Sequence, residues 1–362
     1  MSNIKNQEYM QLAIEQALKG SGAVKTNPLV GCIIVKNDQI IGEGYHAHFG
    51  QEHAEVNAIK YATTSVEGAT AYVTLEPCGH FGKTPPCAHL LVESKIQKVV
   101  IGAVDPTLSK EHSGVIYLRE NGVEVVILND ETAQKLIQPF LVNKLLKMPY
   151  VTLKLATSID FKTATSTLQS KWITSQATRN YSQKLRSKYQ AIAVGVETVL
   201  FDDPELTNRQ ETNEYQPIKV VFDTNLRTPM HAKIFNSGSV IIITGQKNNK
   251  NNYPGNVQII ECETKNQKID LNDAMQKLFA LGIGTILVEG GSKLISSFAN
   301  EKLFDQIDHF IAPIIIGDSP KVALKMSSID LINEATKMIP EQFVRIDQDT
   351  YIKYRRNRCS QD

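Results

Sequence analysis

The stretch Thr70-Ala71-Tyr72-Val73-Thr74-Leu75-Glu76-Pro77-Cys78 reads as a β-strand that runs into a turn ending on a thiol. Apolar and β-branched residues fill the run, and Pro77 ends it. Eight residues separate Cys78 from Cys87, and the last of them, Thr84-Pro85-Pro86, are a cap and prolines entering a helix from Cys87 to about Ser94. Upstream, His53 and Glu55 flank Ala54 at the start of another helical stretch, Ala54–Tyr61. His53 and Cys87 thus fall at helix starts, where thiolates are favoured, and Cys78 follows a strand end.

Working outward, strands and helices alternate. A helix is expected over residues 6–19, with Met10, Ile14, Ala17 and Leu18 on one face and Gly20 as its stop. Leu29–Lys36 and Gln39–Tyr45 read as strands joined by Asn37-Asp38. Lys98–Val104 and Val123–Leu128 are further strands, followed by a helix over Glu131–Leu145. Pro149 opens a second series. Its strands are Tyr150–Ala156, Ala191–Gly195, Lys219–Asp223, Val240–Thr244, Thr285–Val288 and Ile307–Ile316, with closing strands in Phe343–Tyr354. Its helices are Gln176–Lys188, Asp270–Ala280 and Lys293–Ala299, and Asn248–Asn252 reads as a polar loop. This alternation means an α/β fold with sheets covered by helices. The boundary falls near Lys147–Tyr150, giving domains of 1–147 and 148–362, as a chain of 362 residues suggests.

Composition narrows the function classes. Hydrophobic residues make up 42% and charged residues 21%, which excludes wholesale disorder. A net charge of +1 argues against a broad basic surface for nucleic acid. No apolar run approaches the roughly 20 residues of a membrane span, and the N-terminus lacks an apolar signal core. A soluble cytoplasmic protein is expected. Five cysteines in a long chain without a secretion signal argue against a disulfide framework. Cys32 lies mid-strand and reads as a small buried side chain.

His53, Cys78 and Cys87 supply the three protein ligands of a catalytic zinc site, whose fourth position is left for water. Glu55, two residues from the histidine, is placed to move protons rather than to ligate. A structural zinc would need a fourth protein ligand, for which His80 and His89 are the nearby candidates.

At this point the motifs resemble those of the bifunctional riboflavin-biosynthesis deaminase–reductase family. They are Asn27-Pro28-Leu29-Val30-Gly31, Gly42-Glu43-Gly44-Tyr45-His46, His53-Ala54-Glu55 and the segment from Glu76 to Cys87. The long loop between the cysteines separates this family from the cytidine and tRNA adenosine deaminases. The resemblance implies a cytidine-deaminase-like three-layer α/β/α domain and a dihydrofolate-reductase-like α/β domain. It implies zinc-dependent deamination of a phosphoribosyl diaminopyrimidinone to the aminouracil, then NADPH-dependent reduction of the ribosyl to the ribityl group. Asn27 would lie against the substrate, and His80 and Lys83 would hold its phosphoribosyl part. After Asp105-Pro106 the residues Thr107 to Ser113 depart from the family pattern, which implies an altered loop near the deaminase mouth.

The second half says less by itself. No Gly-x-Gly-x-x-Gly follows a strand; Glu289-Gly290-Gly291-Ser292 between strand and helix is an anion-site candidate. By resemblance, Ala156, Trp172, Thr198, Asp202 and Thr224 line the cofactor. The turn Gly291, Ser292, Lys293, Leu294, Ile295, Ser296 and Ser297 cradles its phosphates. Ser170, Arg186, Leu206, Arg209 and Glu289 surround the substrate, the two arginines being suited to a phosphate. Phe161 stands where the family has glycine, so a narrowed pocket or shifted loop is expected. Lys154 is a candidate general acid. A homo-oligomer is also expected. Two other classes compete: a deaminase of nucleic-acid bases with an unrelated appendage, and a non-catalytic protein with structural zinc.

Overall fold

The computed structural model describes residues 2–79, 85–209, 215–247, 253–318 and 321–356. His80, Lys83 and the Asn248–Asn252 loop lie outside them. The chain divides into two compact units, Met1–Leu146 and Lys147–Asp362. Among the described residues no helix is long and apolar enough to cross a membrane.

The first unit runs α1 (Ser2–Leu18), β1 (Gly31–Lys36), β2 (Gln39–Tyr45), α2 (Ala54–Lys60), β3 (Thr70–Leu75), α3 (Cys87–Glu93), β4 (Lys98–Ala103), α4 (Gly114–Glu120), β5 (Glu124–Ile127), α5 (Glu131–Leu136) and α6 (Gln138–Leu146). Its five-stranded sheet has the order β2-β1-β3-β4-β5. The β1–β2 hairpin turns on Asn37 and Asp38, both at positive φ (51° and 60°), the left-handed pair that a two-residue hairpin requires. β1 pairs β3 antiparallel, and β3, β4 and β5 run parallel. Two apolar layers cover the sheet. Met10, Ala13 and Ile14 of α1 pack with Ile33, Tyr72 and Val100 on one face. Ala54, Ala58, Leu91 and Leu118 pack with Cys32, Ile34 and Val73 on the other.

Gly44 decides how closely α2 lies on the sheet. A Cβ there would sit 2.3 Å from Ala54 O and from Ala58 N, so only the bare strand lets the helix carrying Glu55 settle this deeply. The expected helix over Glu131–Leu145 is divided into α5 and α6. Pro139 has no N–H to continue the ladder, and Ile137 ends the first piece. The helix α4 is an addition to the elements expected from sequence.

The second unit runs β6 (Tyr150–Ser158), α7 (Gln176–Arg186), β7 (Ala191–Gly195), α8 (Val196–Asp202), β8 (Ile218–Phe222), β9 (Val240–Thr244), β10 (Val257–Glu261), β11 (Thr264–Lys265), β12 (Lys268–Ile269), α9 (Leu271–Ala280), β13 (Thr285–Glu289), α10 (Ser292–Asn300), β14 (Gln306–Ala312), β15 (Met338–Ile346) and β16 (Asp349–Arg356). The sheet has nine strands in the order β10-β9-β8-β7-β13-β6-β14-β16-β15, and β11-β12 form a separate ribbon. Strands β10 through β14 in that order are parallel, whereas β16 and β15 return antiparallel. The chain winds outward from β7 to β10 and then inserts β13 between β7 and β6. Parallel strands leave a crevice at their carboxyl ends where such a reversal occurs. Phe298, Ile295 and Met275 cover one face of this sheet, and Ile234, Phe235 and Val199 cover the other.

Candidate functional site

In the first unit, His53 occupies the cap position of α2 with extended backbone and no side-chain capping bond, which leaves its ring free for other work. Pro86 caps α3, and Cys87 is that helix's first residue. Cys78 follows the end of β3. His53 Nδ1 lies 3.3 Å from Cys87 Sγ and 3.8 Å from Cys78 Sγ. The three ligand atoms lie within 4.8 Å of one another, and no other such group is found among the described residues. The Cys87 amide donates to Cys78 Sγ at 3.3 Å. Hydrogen bonding from Cys87 and from His53 pushes Cys78 toward the thiolate, while the bond to Cys78 and burial push Cys87 up. The Cys78 bond raises His53.

Glu55 is 3% exposed, and its Oε2 is buried with no hydrogen-bond partner. Burial, reinforced by the Cys78 sulfur, pushes its carboxyl up to about 6. A carboxyl near neutrality can both take and return a proton. The donor set and this orphaned oxygen fit a three-ligand zinc with water at the fourth position. His89 does not join this group of ligand atoms; its ring stacks on Tyr117 with centroids 3.8 Å apart.

Asn27 reaches the same centre through His46. The Asn27 amide nitrogen lies 3.0 Å from His46 Nε2, and His46 Nδ1 lies 3.0 Å from Glu52 O. A carbonyl only accepts, so the proton sits on Nδ1 and Nε2 accepts from the amide. That turns Asn27 Oδ1 toward other partners. His46 is 3% exposed and its ring stands edge-on to His53 at 5.5 Å. From sequence alone it could equally be a surface turn residue; the buried ring shows otherwise.

The segment that departs from the family pattern is tied down behind Cys78. Glu76 accepts from Ser113 Oγ (2.6 Å), Val115 N (3.1 Å) and Asp105 N (3.3 Å). A Cβ on Gly114 would fall 1.8 Å from Pro77 O. Cys32 is fully buried among the α2 and α3 core and its thiol is pushed well up by burial, as its mid-strand position suggests.

In the second unit a cavity of about 820 Å³ opens at the carboxyl ends of β6, β7 and β13. Of the expected residues, Ala156, Ser170, Thr198, Asp202, Gly291, Ser292, Lys293, Leu294 and Ile295 line it. Gly290 (φ 94°) and Gly291 (φ 71°) carry the chain in the left-handed region, and a Cβ on either would lie 3.4 Å from Thr198 Oγ1. Bare backbone at the start of α10, open to a cavity, fits a phosphate cradle.

The other expected residues are placed differently. Trp172 is 68% exposed, stacks 4.3 Å from the Arg179 guanidinium and does not line the cavity. Thr224 offers its carbonyl to Gly245 N. Ser296 Oγ accepts from Lys325 N, and Ser297 Oγ donates to Lys293 O. Leu206 packs in the core, and Arg209 pairs with Glu205 at 3.5 Å. Arg186 and Glu289 bind each other, and Arg186 Nη1 also donates to Thr207 O at 2.9 Å.

Lys154 does line the cavity, in register with Glu289 on the neighbouring strand. Burial pushes its ammonium down. Phe161 does not line it: at φ 63° the backbone turns the ring edge-on to His309, 5.4 Å away. Leu168, Gln169, Lys171, Glu197, Phe201 and Lys321 also line it, and none of them is given a role by the sequence or the resemblance.

Residues 149–351 match the family model of the RibD C-terminal domain. Residues 3–103 match that of the cytidine and deoxycytidylate deaminase zinc-binding region. The riboflavin biosynthesis protein RibD of Actinobacillus pleuropneumoniae is 39% identical over 357 residues, 96% of this chain and 94% of that protein. That of Aquifex aeolicus is 38% identical, over 97% and 98%. Among solved structures, a diaminohydroxyphosphoribosylaminopyrimidine deaminase/5-amino-6-(5-phosphoribosylamino)uracil reductase from Thermotoga maritima matches with a TM-score of 0.87 at 34% identity, covering 99% of this chain and 100% of that one.

Proposed function

The chain belongs to the RibD family of riboflavin-biosynthesis proteins, and from that premise we propose how its residues divide the work. The protein is a bifunctional enzyme. It deaminates 2,5-diamino-6-(phosphoribosylamino)pyrimidin-4-one to 5-amino-6-(phosphoribosylamino)uracil in a zinc-dependent hydrolysis. It then reduces the ribosyl to the ribityl group with NADPH. Residues 1–147 are assigned the deamination and 148–362 the reduction, a division supported by the two compact units.

The observation that carries the deaminase assignment is the convergence of His53, Cys78 and Cys87 beside the unpartnered Glu55 oxygen. Zinc held by those three would supply the Lewis acidity that makes water nucleophilic near neutral pH. Glu55 takes the proton from the attacking water and hands it to the departing amino group. Asn27, its amide fixed by His46, accepts through Oδ1 from the substrate ring. His80 and Lys83 are assigned to the phosphoribosyl part on the family resemblance.

In the reductase, NADPH when bound would supply the hydride for the ribosyl carbon. Gly291 to Ser297 would hold its phosphates, with Ala156, Thr198 and Asp202 beside it; Trp172 and Thr224 stay in the cofactor assignment on resemblance. Lys154 is the proton donor to the ribosyl oxygen, supported by its place in the cavity wall and its lowered pKa. Ser170 is assigned to the substrate from its place in the cavity wall, and Leu206 and Arg209 stay in the substrate assignment on resemblance. Arg186 keeps one N–H on each terminal nitrogen for it, after Glu289 and Thr207 are served.

The enzyme is further read as cytoplasmic, indifferent to nucleic acid at its net charge of +1, and homo-oligomeric. Self-association would cover edge strand β15, where Phe343 is 73% exposed. Purified zinc-loaded protein, given the diaminopyrimidinone with and without NADPH, tests the assignment. Ammonia should appear in both mixtures and NADPH loss should follow it. No ammonia from zinc-loaded protein would overturn the deaminase roles.

A further inference from the structure

The cavity wall beside the phosphate cradle carries an arrangement that neither reaction step requires. Glu197, the second residue of α8, lines the cavity. Arg227, beyond the end of β8, donates from Nη2 to Glu197 Oε1 at 2.6 Å. Lys293, on the first turn of α10, and Lys321 also line the cavity, and the charges of all three cations bear on the Glu197 carboxylate. One carboxylate of the cavity lining is therefore paired with a guanidinium, and two lysines share that lining.

Two dinucleotides compete for such a site, differing by one phosphate on the adenosine ribose. A carboxylate at the ribose accepts from the free 2′-hydroxyl and repels a 2′-phosphate, whereas a guanidinium does the reverse. Here both groups are present, and the guanidinium covers the carboxylate. The pair is half exposed, with side chains 47% and 40% accessible. Exposed pairs of this kind contribute little to stability, so exchanging the partner of Arg227 costs little. A phosphate monoester brings nearly twice the charge of Glu197 and more acceptor oxygens.

We propose that Arg227, by covering Glu197 and offering its fork to the 2′-phosphate, sets the preference of this reductase for the phosphorylated dinucleotide, with Lys293 and Lys321 adding charge. Glu197 is then the element that would favour the unphosphorylated cofactor if left uncovered. The inference rests on the reductase reading of the second unit and adds the residues that discriminate.

Binding, rather than turnover, tests it. Dissociation constants of the full chain for NADPH and NADH are measured by nicotinamide fluorescence, and those for adenosine 2′,5′-bisphosphate and AMP by calorimetry. Arg227→Ala should weaken NADPH and the bisphosphate by about tenfold to a hundredfold, the range of a charge-assisted hydrogen bond, and leave NADH and AMP unchanged or tighter. Adding Glu197→Gln should restore part of the NADPH loss by removing the uncovered carboxylate. Equal losses for NADPH and NADH, or no loss, would overturn the proposal. Should Arg227→Ala not fold, the unmodified chain still decides, because equal affinity for the bisphosphate and AMP also overturns it. A chain that binds neither dinucleotide would overturn the reductase reading itself and this inference with it.

Discussion

Arg186 and Glu289 face each other through two parallel hydrogen bonds, Nε to Oε1 and Nη2 to Oε2, each 2.9 Å long. Their side chains are 13% and 8% exposed. Removing one partner strands the other as a buried charge, whereas removing both does not. Arg186→Ala should therefore cost about 3 kcal/mol or more in urea unfolding of the full chain. Arg186→Met combined with Glu289→Leu should cost less than the two single changes added together. Additive losses would mean that the two groups are not coupled. Arg186→Lys should not restore the loss, since an ammonium lacks the fork.

The Asn27–His46–Glu52 chain makes a claim about orientation. Among the described residues, the imidazole is the group that orients the Asn27 amide. His46→Ala should lower deaminase kcat by about a hundredfold, the cost of a misplaced group. NADPH oxidation with supplied aminouracil should be unaffected. A loss shared by both activities would point to damage to the whole fold instead.

Zinc and Glu55 can be separated by chemistry. Cys87→Ser should deplete zinc in metal analysis of the purified protein. Glu55→Gln should keep zinc bound and lower ammonia release by about 10² to 10⁴. Chelation should stop ammonia release and spare the reduction of supplied aminouracil. Zinc lost from the Glu55→Gln protein would make Glu55 a ligand after all.

The deaminase half is legible in the chain because its functional groups sit at element boundaries. His53, Cys78 and Cys87 stand at a helix cap, a strand exit and a helix start, and propensity and punctuation mark such places directly. The alternation of elements is legible for the same reason. What stays hidden is set by contacts distant in sequence. Arg186 and Glu289 lie on separate elements 103 residues apart, and no local pattern joins them. His46 gives no clue to its burial until Glu52 and Asn27 close around it. The split at Ile137 turns on one proline in an otherwise helical pattern. Phe161 is a mixed case: glycine at that position signals a positive φ, which the backbone adopts at 63°, but not that a ring there would turn onto His309.

That ring is part of why His309 should govern acid stability. His309 is 8% exposed, its Nε2 lies 2.9 Å from Thr157 Oγ1, and burial pushes it down to about 4 from the ordinary 6.5. Between those values the unfolded chain binds a proton that the folded chain does not. Stability from this group is therefore full above pH 6.5 and is lost as the pH falls toward 4. The loss amounts to about 3 kcal/mol at most, by the linkage between proton binding and folding. His309→Gln keeps a hydrogen-bonding group for Thr157 but cannot be charged. The urea midpoint of the wild-type chain should fall more steeply than that of His309→Gln between pH 6.5 and 4, and the two curves should run parallel above pH 6.5. Parallel curves through the acid range would show that His309 takes up its proton without cost to the fold.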